Sequence, residues 1–297
     1  MTRTQLFIRR LMLHRVAVVS AGILSLLFLF ALSAPILEMI LNTDASKVNL
    51  FSRYQPFSLQ HPLGTDDLGR DLLVRLAYGG RVSLLVGFTA AIIAAAIGTL
   101  IGLIAGYFGG WLDTLLMRTT DSVIALPLLP LLIVLAVIDL EKLGIPASIA
   151  NHQDIGLYRI IVIVSLVGWT GVARLVRGSV LSLRERPYII AARSMGVPAK
   201  RIIFTHILPA LTSPITVATT LSVGNIILFE SILSFLGLGI NPPTPSWGNM
   251  LTNAKELIWE AATLEFFQGM LIFITVLAFN FIGDGLQDAL SPRSKKR

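Results

Sequence analysis

The sequence contains no cysteine among its 297 residues, and charged residues make up only 14% of it. The lack of cysteine excludes a disulfide framework, a thiolate nucleophile and a cysteine metal site. Soluble globular proteins carry about 25% charged residues. A content this low, together with 54% hydrophobic residues, therefore indicates an integral membrane protein. The net charge of +7 then indicates basic loops at the cytoplasmic surface of a membrane rather than binding to nucleic acid.

Patterns that carry catalysis or bind metals are also missing. No glycine-rich phosphate loop, Ser-His-Asp set or paired-carboxylate arrangement occurs. The four histidines, His14, His61, His152 and His206, are far apart, and none pairs with another at metal-ligand spacing. Residues 61–71 contain three aspartates but lack the alternation and terminal Glu of a calcium loop. We expect a structural turn followed by an amphipathic external helix there, and no catalytic, cofactor or metal site in this chain.

Six apolar runs predict an all-α, polytopic membrane protein with six transmembrane helices. They occupy residues 16–37, 82–110, 122–138, 160–173, 208–236 and 266–282. A basic start followed by an apolar run also describes a secretory signal. The first run is longer than the apolar region of a typical signal, and no clean cleavage site ends it. We therefore interpret it as a retained membrane helix.

Small residues and prolines inside these runs predict local packing. Gly98, Gly102 and Gly106 recur every four residues, so they share one helix face and predict a close approach by a neighbouring helix. Pro127 and Pro130 interrupt the third run and predict a kink in it.

The distribution of basic residues predicts the topology. Most of the 24 Lys and Arg residues lie in residues 1–15, residues 174–201 and the tail. Short loops rich in Lys and Arg stay in the cytoplasm, so we expect both termini and the 184–209 segment to be cytoplasmic. The predicted organisation is a cytoplasmic basic N-terminus (1–15), a first transmembrane helix (16–40), an external segment (41–81), a core with five transmembrane helices (82–285) and a cytoplasmic basic tail (286–297).

Two acidic residues lie in or near the predicted spans. Asp121 falls at the cytoplasmic end of its span, where we expect it to stay hydrated or to pair with Arg118. Glu230 lies towards the outer end of the fifth span. Since an ionisable group inside a membrane often marks a transport pathway, Glu230 is a candidate for lining a translocation pathway.

Residues 184–209 are too polar and too interrupted to form a span. Pro187 suits the first turn of a helix, Gly196 suits its end, and Pro198 suits the start of a second helix. The pattern predicts two short helices with a sharp turn between them, held outside the bilayer between the fourth and fifth spans.

This segment resembles the cytoplasmic loop of the permeases of binding-protein-dependent ABC importers. The loop of that family reads Glu-Ala-Ala, three residues, Gly, nine residues, Ile, one residue and Leu-Pro. Five residues match at the same spacing: Ala191, Ala192, Gly196, Leu208 and Pro209. Ile190 replaces the Glu and His206 replaces the Ile, so the two-helix shape is expected without a specific salt bridge from the Glu position.

Further stretches are similar to the dipeptide, oligopeptide and nickel branch of the same family. They are residues 63–71 followed by 78–84, residues 234–239 with 242–248, and residues 278–286. The resemblance covers almost the whole chain. It identifies the chain as similar to the second, C-type permease of a peptide-type importer.

The resemblance implies a function and a set of partners. Such a permease translocates di- or oligopeptides across the bacterial inner membrane and is not itself an enzyme. It pairs with a homologous second permease, two cytoplasmic ATPases that hold ATP and magnesium, and an external substrate-binding protein. The alternatives are a nickel or metal-chelate importer, a stand-alone secondary transporter and a membrane enzyme. A stand-alone secondary transporter would need coupling-ion ligands or an inverted repeat, and the sequence displays neither clearly. A membrane enzyme would need a catalytic set, and the sequence displays none.

In this family the cytoplasmic loop couples the ATPases to the membrane helices. We expect five apolar residues to fill a cleft on the ATPase: Tyr188, Ile189, Ile203, Phe204 and Ile207. We expect Arg193, Lys200 and Arg201 to pair with acidic residues there. Gly196 allows the turn, and Pro209 begins the fifth span. The complete predicted coupling set is Tyr188, Ile189, Ala191, Ala192, Arg193, Gly196, Lys200, Arg201, Phe204, Leu208 and Pro209.

Overall fold

The computed structural model describes residues 9–150, 152, 154–252 and 262–290. The predicted basic ends at residues 1–8 and 291–297 lie outside this range, as do residues 253–261. The described residues form helices, and no strand occurs among them. The helices are α1 (Arg15–Leu32), α2 (Ala34–Leu41), α3 (Leu72–Phe108), α4 (Gly110–Ala125), α5 (Leu128–Val137), α6 (Ala147–Ala150), α7 (Ile155–Arg184), α8 (Pro187–Ser194), α9 (Ala199–Ile202), α10 (Leu208–Phe235) and α11 (Ala262–Leu290).

The described residues include five helices that are long and apolar enough to cross a membrane. They are Arg15–Leu32, Leu72–Phe108, Ile155–Arg184, Ala199–Phe235 and Phe266–Leu290. The helices α4 and α5 meet at an angle of 89° and are together long and apolar enough for one further span, broken at the bend, or for a re-entrant loop, so the described residues contain five spans or six. The predicted all-α, polytopic membrane fold is confirmed.

The third predicted span breaks at one of its two prolines. α4 ends at Ala125, and Leu126 and Pro127 are extended, with ψ angles of 139° and 116°. Proline disfavours the α conformation of the residue before it, which accounts for the extended Leu126. Pro130 causes no break, because it lies in the first turn of α5, where its missing N–H needs no partner.

The central helix α3 begins earlier than predicted. The apolar run starts at Val82, but the helix starts at Leu72, where the Asp71 side chain caps it by accepting from the Val74 N–H at 2.9 Å. The early turns contain Arg75, whose guanidinium is buried and donates to the Ala45 carbonyl at 3.1 Å. A search for uncharged runs therefore misses the first turns of α3, because they contain a charged side chain that is bound within the protein.

The turn before α3 is held by its aspartates. Asp66 Oδ1 accepts from the backbone N–H groups of Leu68 and Arg70, and Asp66 Oδ2 accepts from Arg70 Nε at 2.8 Å. His61 Nδ1 lies 2.9 Å from Asp71 Oδ2. These carboxylates bind backbone and side-chain donors of their own loop, so the expected structural turn is present. The expected amphipathic external helix after it is wrong, because the turn leads directly into the buried first turns of the spanning helix α3.

Three glycines of α3 lie in close contact with α7. A Cβ atom added to Gly102 would lie 2.6 Å from the Ala173 carbonyl oxygen, and one added to Gly106 would lie 2.7 Å from Val180 Cβ. Gly98 meets α7 in the same way. The predicted close approach at the three glycines is therefore confirmed, and α7 is the helix that makes it.

Two ion pairs attach α4 to α7. Arg177 donates through Nε and Nη2 to the two carboxylate oxygens of Asp113 at 3.0 and 2.6 Å. Arg174 Nε donates to Asp121 at 3.2 Å. Asp121 stays half exposed, as expected, but the prediction of Arg118 as its ion-pair partner is wrong. The packing of α4 along α7 brings Arg174 within reach of Asp121.

A hydrogen-bonded cluster around Glu230 holds residues 237–252 against the helices. The carboxylate is fully buried and accepts from Ser83 Oγ at 3.1 Å and from Ser234 Oγ at 2.8 Å. Each serine oxygen itself accepts from a backbone N–H, that of Trp247 at 3.2 Å or Ile240 at 3.1 Å. Both hydroxyl protons therefore point to the carboxylate.

The Trp247 side chain is fully buried beside α3. Its Nε1 donates to the Leu76 carbonyl at 2.9 Å. A Cβ atom added to Gly80 would lie 2.9 Å from the indole ring. The segment after α10 is thus fixed to α3 by one aromatic ring and by the Glu230 cluster.

We expect Gly102→Ala to lower the thermal unfolding midpoint of the detergent-purified chain. The new Cβ would lie 2.6 Å from the Ala173 oxygen, and overpacking of this kind costs about 1–3 kcal/mol. Gly22→Ala is the matched control, because a Cβ there meets no atom within 4 Å. Equal midpoints for the two variants would contradict the assigned helix interface.

We expect Glu230→Gln to loosen residues 237–252. The amide NH2 group cannot accept, so one serine hydroxyl loses the acceptor for its proton, at a cost of about 1–3 kcal/mol. The measurement is the rate of limited proteolysis within this segment. Thr212→Val is the control, because the exposed Thr212 hydroxyl binds only the Pro209 carbonyl of its own helix. Equal proteolysis rates would show that the Glu230 cluster does not fix the segment.

Candidate coupling site

The turn between α8 and α9 lies where the sequence predicts it. The N–H of Met195 binds the Ala191 carbonyl, the N–H of Gly196 binds the Arg193 carbonyl, and Pro198 precedes α9. Gly196 has a φ of +76°, and no atom lies within 4 Å of the position of an added Cβ. The turn therefore needs glycine for its left-handed backbone rather than for a close approach.

The second of the two predicted short helices is not separate. α9 continues through a π-helical turn, Ile203–Ile207, directly into α10. Pro209 lies in the first turn of α10 and supplies no N–H to the ladder, and the helix widens immediately before it. One helix of 37 residues thus runs from Ala199 to Phe235, so the second half of the loop and the fifth span form one continuous helix.

One face of this segment is buried against the bundle. Ile189 and Ala192, separated by about one helical turn, share this face, as do Ile203 and Ile207. They pack against side chains of α3, α7 and α10, namely Leu103, Tyr107, Val172, Val176, Val180 and Leu211. The expectation that Ile189, Ile203 and Ile207 present surface to a partner is wrong, because these three side chains anchor the loop to its own chain.

The opposite face exposes apolar side chains. Tyr188 is 50% exposed, Ile190 53%, Met195 76% and Phe204 55%. The prediction included Tyr188 and Phe204 but missed Ile190 and Met195 as surface residues. The helical period could have found Ile190, since a helix that buries Ile189 and Ala192 must turn Ile190 outwards.

Basic residues flank this exposed face. The Arg193 guanidinium lies 5.2 Å from the centroid of the Tyr107 ring, and Arg184 Nη1 donates to the Gly106 carbonyl at 3.1 Å. Lys200 and Arg201 are exposed. Of the other predicted coupling residues, Ala191 and Pro209 are exposed and Leu208 is half-buried. The pairing of these cations with acids of a partner stays a prediction.

Glu230 lies in the buried cluster described above, where its carboxylate faces serine hydroxyls. A role for it in a translocation pathway stays a prediction. Within residues 9–150, 152, 154–252 and 262–290, no group of three His, Asp or Glu side chains is placed to hold a metal ion. The candidate site is the 184–209 segment, which has one face buried against the helix bundle and one exposed face.

Known proteins similar to this chain carry the same architecture. Residues 98–296 match the family described as binding-protein-dependent transport system inner membrane component. Residues 2–56 match the N-terminal transmembrane domain of oligopeptide transport permease C. The chain is 40% identical to the dipeptide transport system permease protein DppC of Alkalihalophilus pseudofirmus, over 97% of this chain and 89% of that protein.

Two other relatives extend the comparison. The oligopeptide transport system permease protein OppC of Bacillus subtilis is 37% identical over 95% of this chain and 87% of its own length. The glutathione transport system permease protein GsiD of Escherichia coli is 44% identical over 80% of this chain and 74% of its own length.

An inward-facing structure of the MetNI methionine ABC transporter has the same fold. Its matched chain aligns with a TM-score of 0.56 and 22% identity, over 74% of this chain and 97% of that one. The family matches, the full-length relatives and the shared fold lead to one conclusion: this chain belongs to the family of binding-protein-dependent transport system inner membrane components, in which it is a multi-pass transport subunit rather than an enzyme.

Proposed function

We propose that this chain is the C-type permease of an ATP-driven importer of di- or oligopeptides. Relatives at about 40% identity over most of the chain are named for dipeptide and oligopeptide transport. A third relative is named for glutathione, which is itself a peptide. The transported solute is delivered by an external binding protein and crosses the membrane between this chain and a homologous second permease.

The energy enters through the cytoplasmic loop. Two ATPase subunits bind ATP and magnesium, and they contact the exposed apolar face formed by Tyr188, Ile190, Met195 and Phe204. Arg193, Lys200 and Arg201 surround this face and pair with acidic residues of the ATPase. ATP shifts the conformation because the closed and open ATPase dimers differ in their affinity for nucleotide.

The observation that carries this proposal is the two-faced loop. Its buried face, with Ile189 and Ile207 at its centre, is packed against three spanning helices. Its second helix continues into α10 without a break. Movement of an ATPase bound to the open face is therefore transmitted to α10 and to the platform of α3 and α7, which rocks the permease between two packed states.

The alternatives have less support. A nickel or metal-chelate importer would have the same architecture, but the relatives reported above are named for peptides. A stand-alone transporter would leave the exposed apolar face of the loop without an occupant. Exposed apolar patches of this kind mark interaction sites.

The absence of cysteine permits a direct test of the proposed orientation. In vesicles that contain this chain without the ATPases, we expect a membrane-impermeant maleimide to label Leu59→Cys, but not Met195→Cys, when the vesicles are right-side-out, and the reverse when they are inside-out. Both positions are highly exposed, at 99% and 76%. Labelling of Met195→Cys from the outside would contradict a cytoplasmic loop.

Neighbouring isoleucines test the coupling face. We expect Ile190→Asp to lower the amount of ATPase that copurifies with the permease about tenfold, a change of about 1.4 kcal/mol. The thermal stability of the permease itself should not change, because Ile190 is exposed. Ile189→Asp should instead destabilise the permease, since it buries a carboxylate without a partner. Normal copurification and normal peptide uptake by Ile190→Asp would overturn the assigned ATPase contact.

A further inference from the structure

A cavity of about 270 Å³ lies between the broken span, α7 and α10. The break contributes Leu126, α7 contributes Thr170, and α10 contributes Ser222, Asn225 and Phe229. None of the described residues that line the cavity is charged. Its volume lies just below the range of about 300–1,000 Å³ for complete ligand pockets, as expected for a half-site that a second subunit completes.

Asn225 is the unexplained residue of this cavity. It is exposed, although its neighbours Gly224, Ile226 and Ile227 are buried in the helix bundle. Its carboxamide forms no hydrogen bond with any residue in the described part of the chain. An amide in a membrane span must find polar partners, because unsatisfied donors and acceptors cost several kcal/mol in hydrocarbon. No described residue of this chain supplies such a partner for Asn225, and its exposed side chain is open to a group from outside the chain.

The two hydroxyls of the cavity are engaged as donors but not as acceptors. Thr170 Oγ1 donates to the Val167 carbonyl at 3.2 Å, and Ser222 Oγ donates to the Ala218 carbonyl at 2.8 Å. Their oxygen lone pairs can still accept. Asn225 adds two donor hydrogens and one acceptor oxygen.

The break in the third predicted span places polar backbone groups beside the same cavity. α4 ends at Ala125, and Leu126 and Pro127 are extended, so the last carbonyl groups of α4 lack intrahelical N–H partners. Irregular backbone is tolerated at membrane depth only inside protein or along a polar cavity. Discontinuous helices in transporters commonly form the substrate site.

These groups match an uncharged amide. In an extended peptide the N–H and the C=O of one residue point to the same side, and the carboxamide of Asn225 presents the complementary acceptor and donor. The lack of charge in the lining matches a peptide backbone rather than a charged terminus or a metal chelate. Such a contact is independent of the side chains of the solute.

On the basis of the peptide-import function proposed above, we propose that Asn225 contacts the transported solute, and that its carboxamide forms two hydrogen bonds with the N–H and the C=O of one extended residue of that solute. Asn225 is then a specificity-determining residue that distinguishes amides from other small solutes, and the cavity is the contribution of this chain to the translocation pathway.

The test uses the complete transporter in proteoliposomes with trialanine and its two single-ester analogues, in which one peptide N–H is replaced by oxygen. We expect the native transporter to take up trialanine about tenfold faster than at least one analogue, which corresponds to one lost hydrogen bond. Asn225→Leu should slow trialanine uptake about tenfold and reduce the amide-to-ester ratio to near one. The binding protein is unchanged, so its own preference contributes equally to native and variant ratios. Thr216→Val is the control, because Thr216 is an exposed hydroxyl of α10 outside the cavity and should leave both rates unchanged.

A second variant covers the case in which Asn225→Leu does not assemble. The chain has no native cysteine, so alkylation of Asn225→Cys reports on this position alone. We expect trialanine to slow that alkylation several-fold and to leave alkylation of Leu228→Cys, a control on α10 that does not line the cavity, unchanged.

The outcomes separate the two proposals. Failure of the native transporter to take up any peptide would overturn peptide import and the assignment of Asn225 with it. Peptide uptake by the native transporter, with no effect of Asn225→Leu on the amide-to-ester ratio and no protection of Asn225→Cys, would overturn the assignment of Asn225 alone. Protection of Asn225→Cys by the second permease without peptide would show that the carboxamide pairs with that subunit, which also overturns it.

Discussion

The close approach of α3 and α7 is the constraint on which the rest of the structure depends. Lipid chains are as apolar as leucine, so burial of apolar surface does not drive helices together in a membrane, and close packing must do so. Gly102 and Gly106 allow this contact. At one end of the same interface, Leu103, Val176 and Val180 form the platform against which the 184–209 segment packs. Without the glycine contact, α3 and α7 would not form the surface against which the loop packs.

The helix that begins at Ala199 connects the functional parts of the chain. Its 37 residues span about 55 Å at 1.5 Å per residue. It begins in the loop between α8 and α9, and it carries Asn225 in its second half and Glu230 near its C-terminal end. The Glu230 cluster ties this end to α3 and to the segment after α10. A displacement of the loop is therefore transmitted along one element to the proposed solute contact and the outer segment.

Sequence reasoning succeeded where one residue type has one structural meaning. The glycine spacing predicted the packed face, Gly196 predicted the turn, and the aspartates of residues 61–71 were correctly interpreted as a structural turn. It failed where the position of a charged side chain depends on a partner that is distant in the sequence. Arg75 sits inside a helix because Ala45 accepts from it, and Asp121 pairs with Arg174 rather than with Arg118. Neither partner is close in sequence.

By itself, the sequence determined that this chain crosses a membrane several times, where the loop before the fifth span turns, and which family its motifs resemble. Uncharged run length, glycine conformation and motif spacing are local properties, so no knowledge of packing was needed. Only the tertiary structure decided which loop residues are buried and which are exposed. Ile189 and Ile190 are identical side chains in adjacent positions, and the direction of the α3–α7 platform alone makes one an anchor and the other a surface. The same holds for Asn225 and Glu230, since burial and hydrogen-bond partners come from elements far apart in the chain.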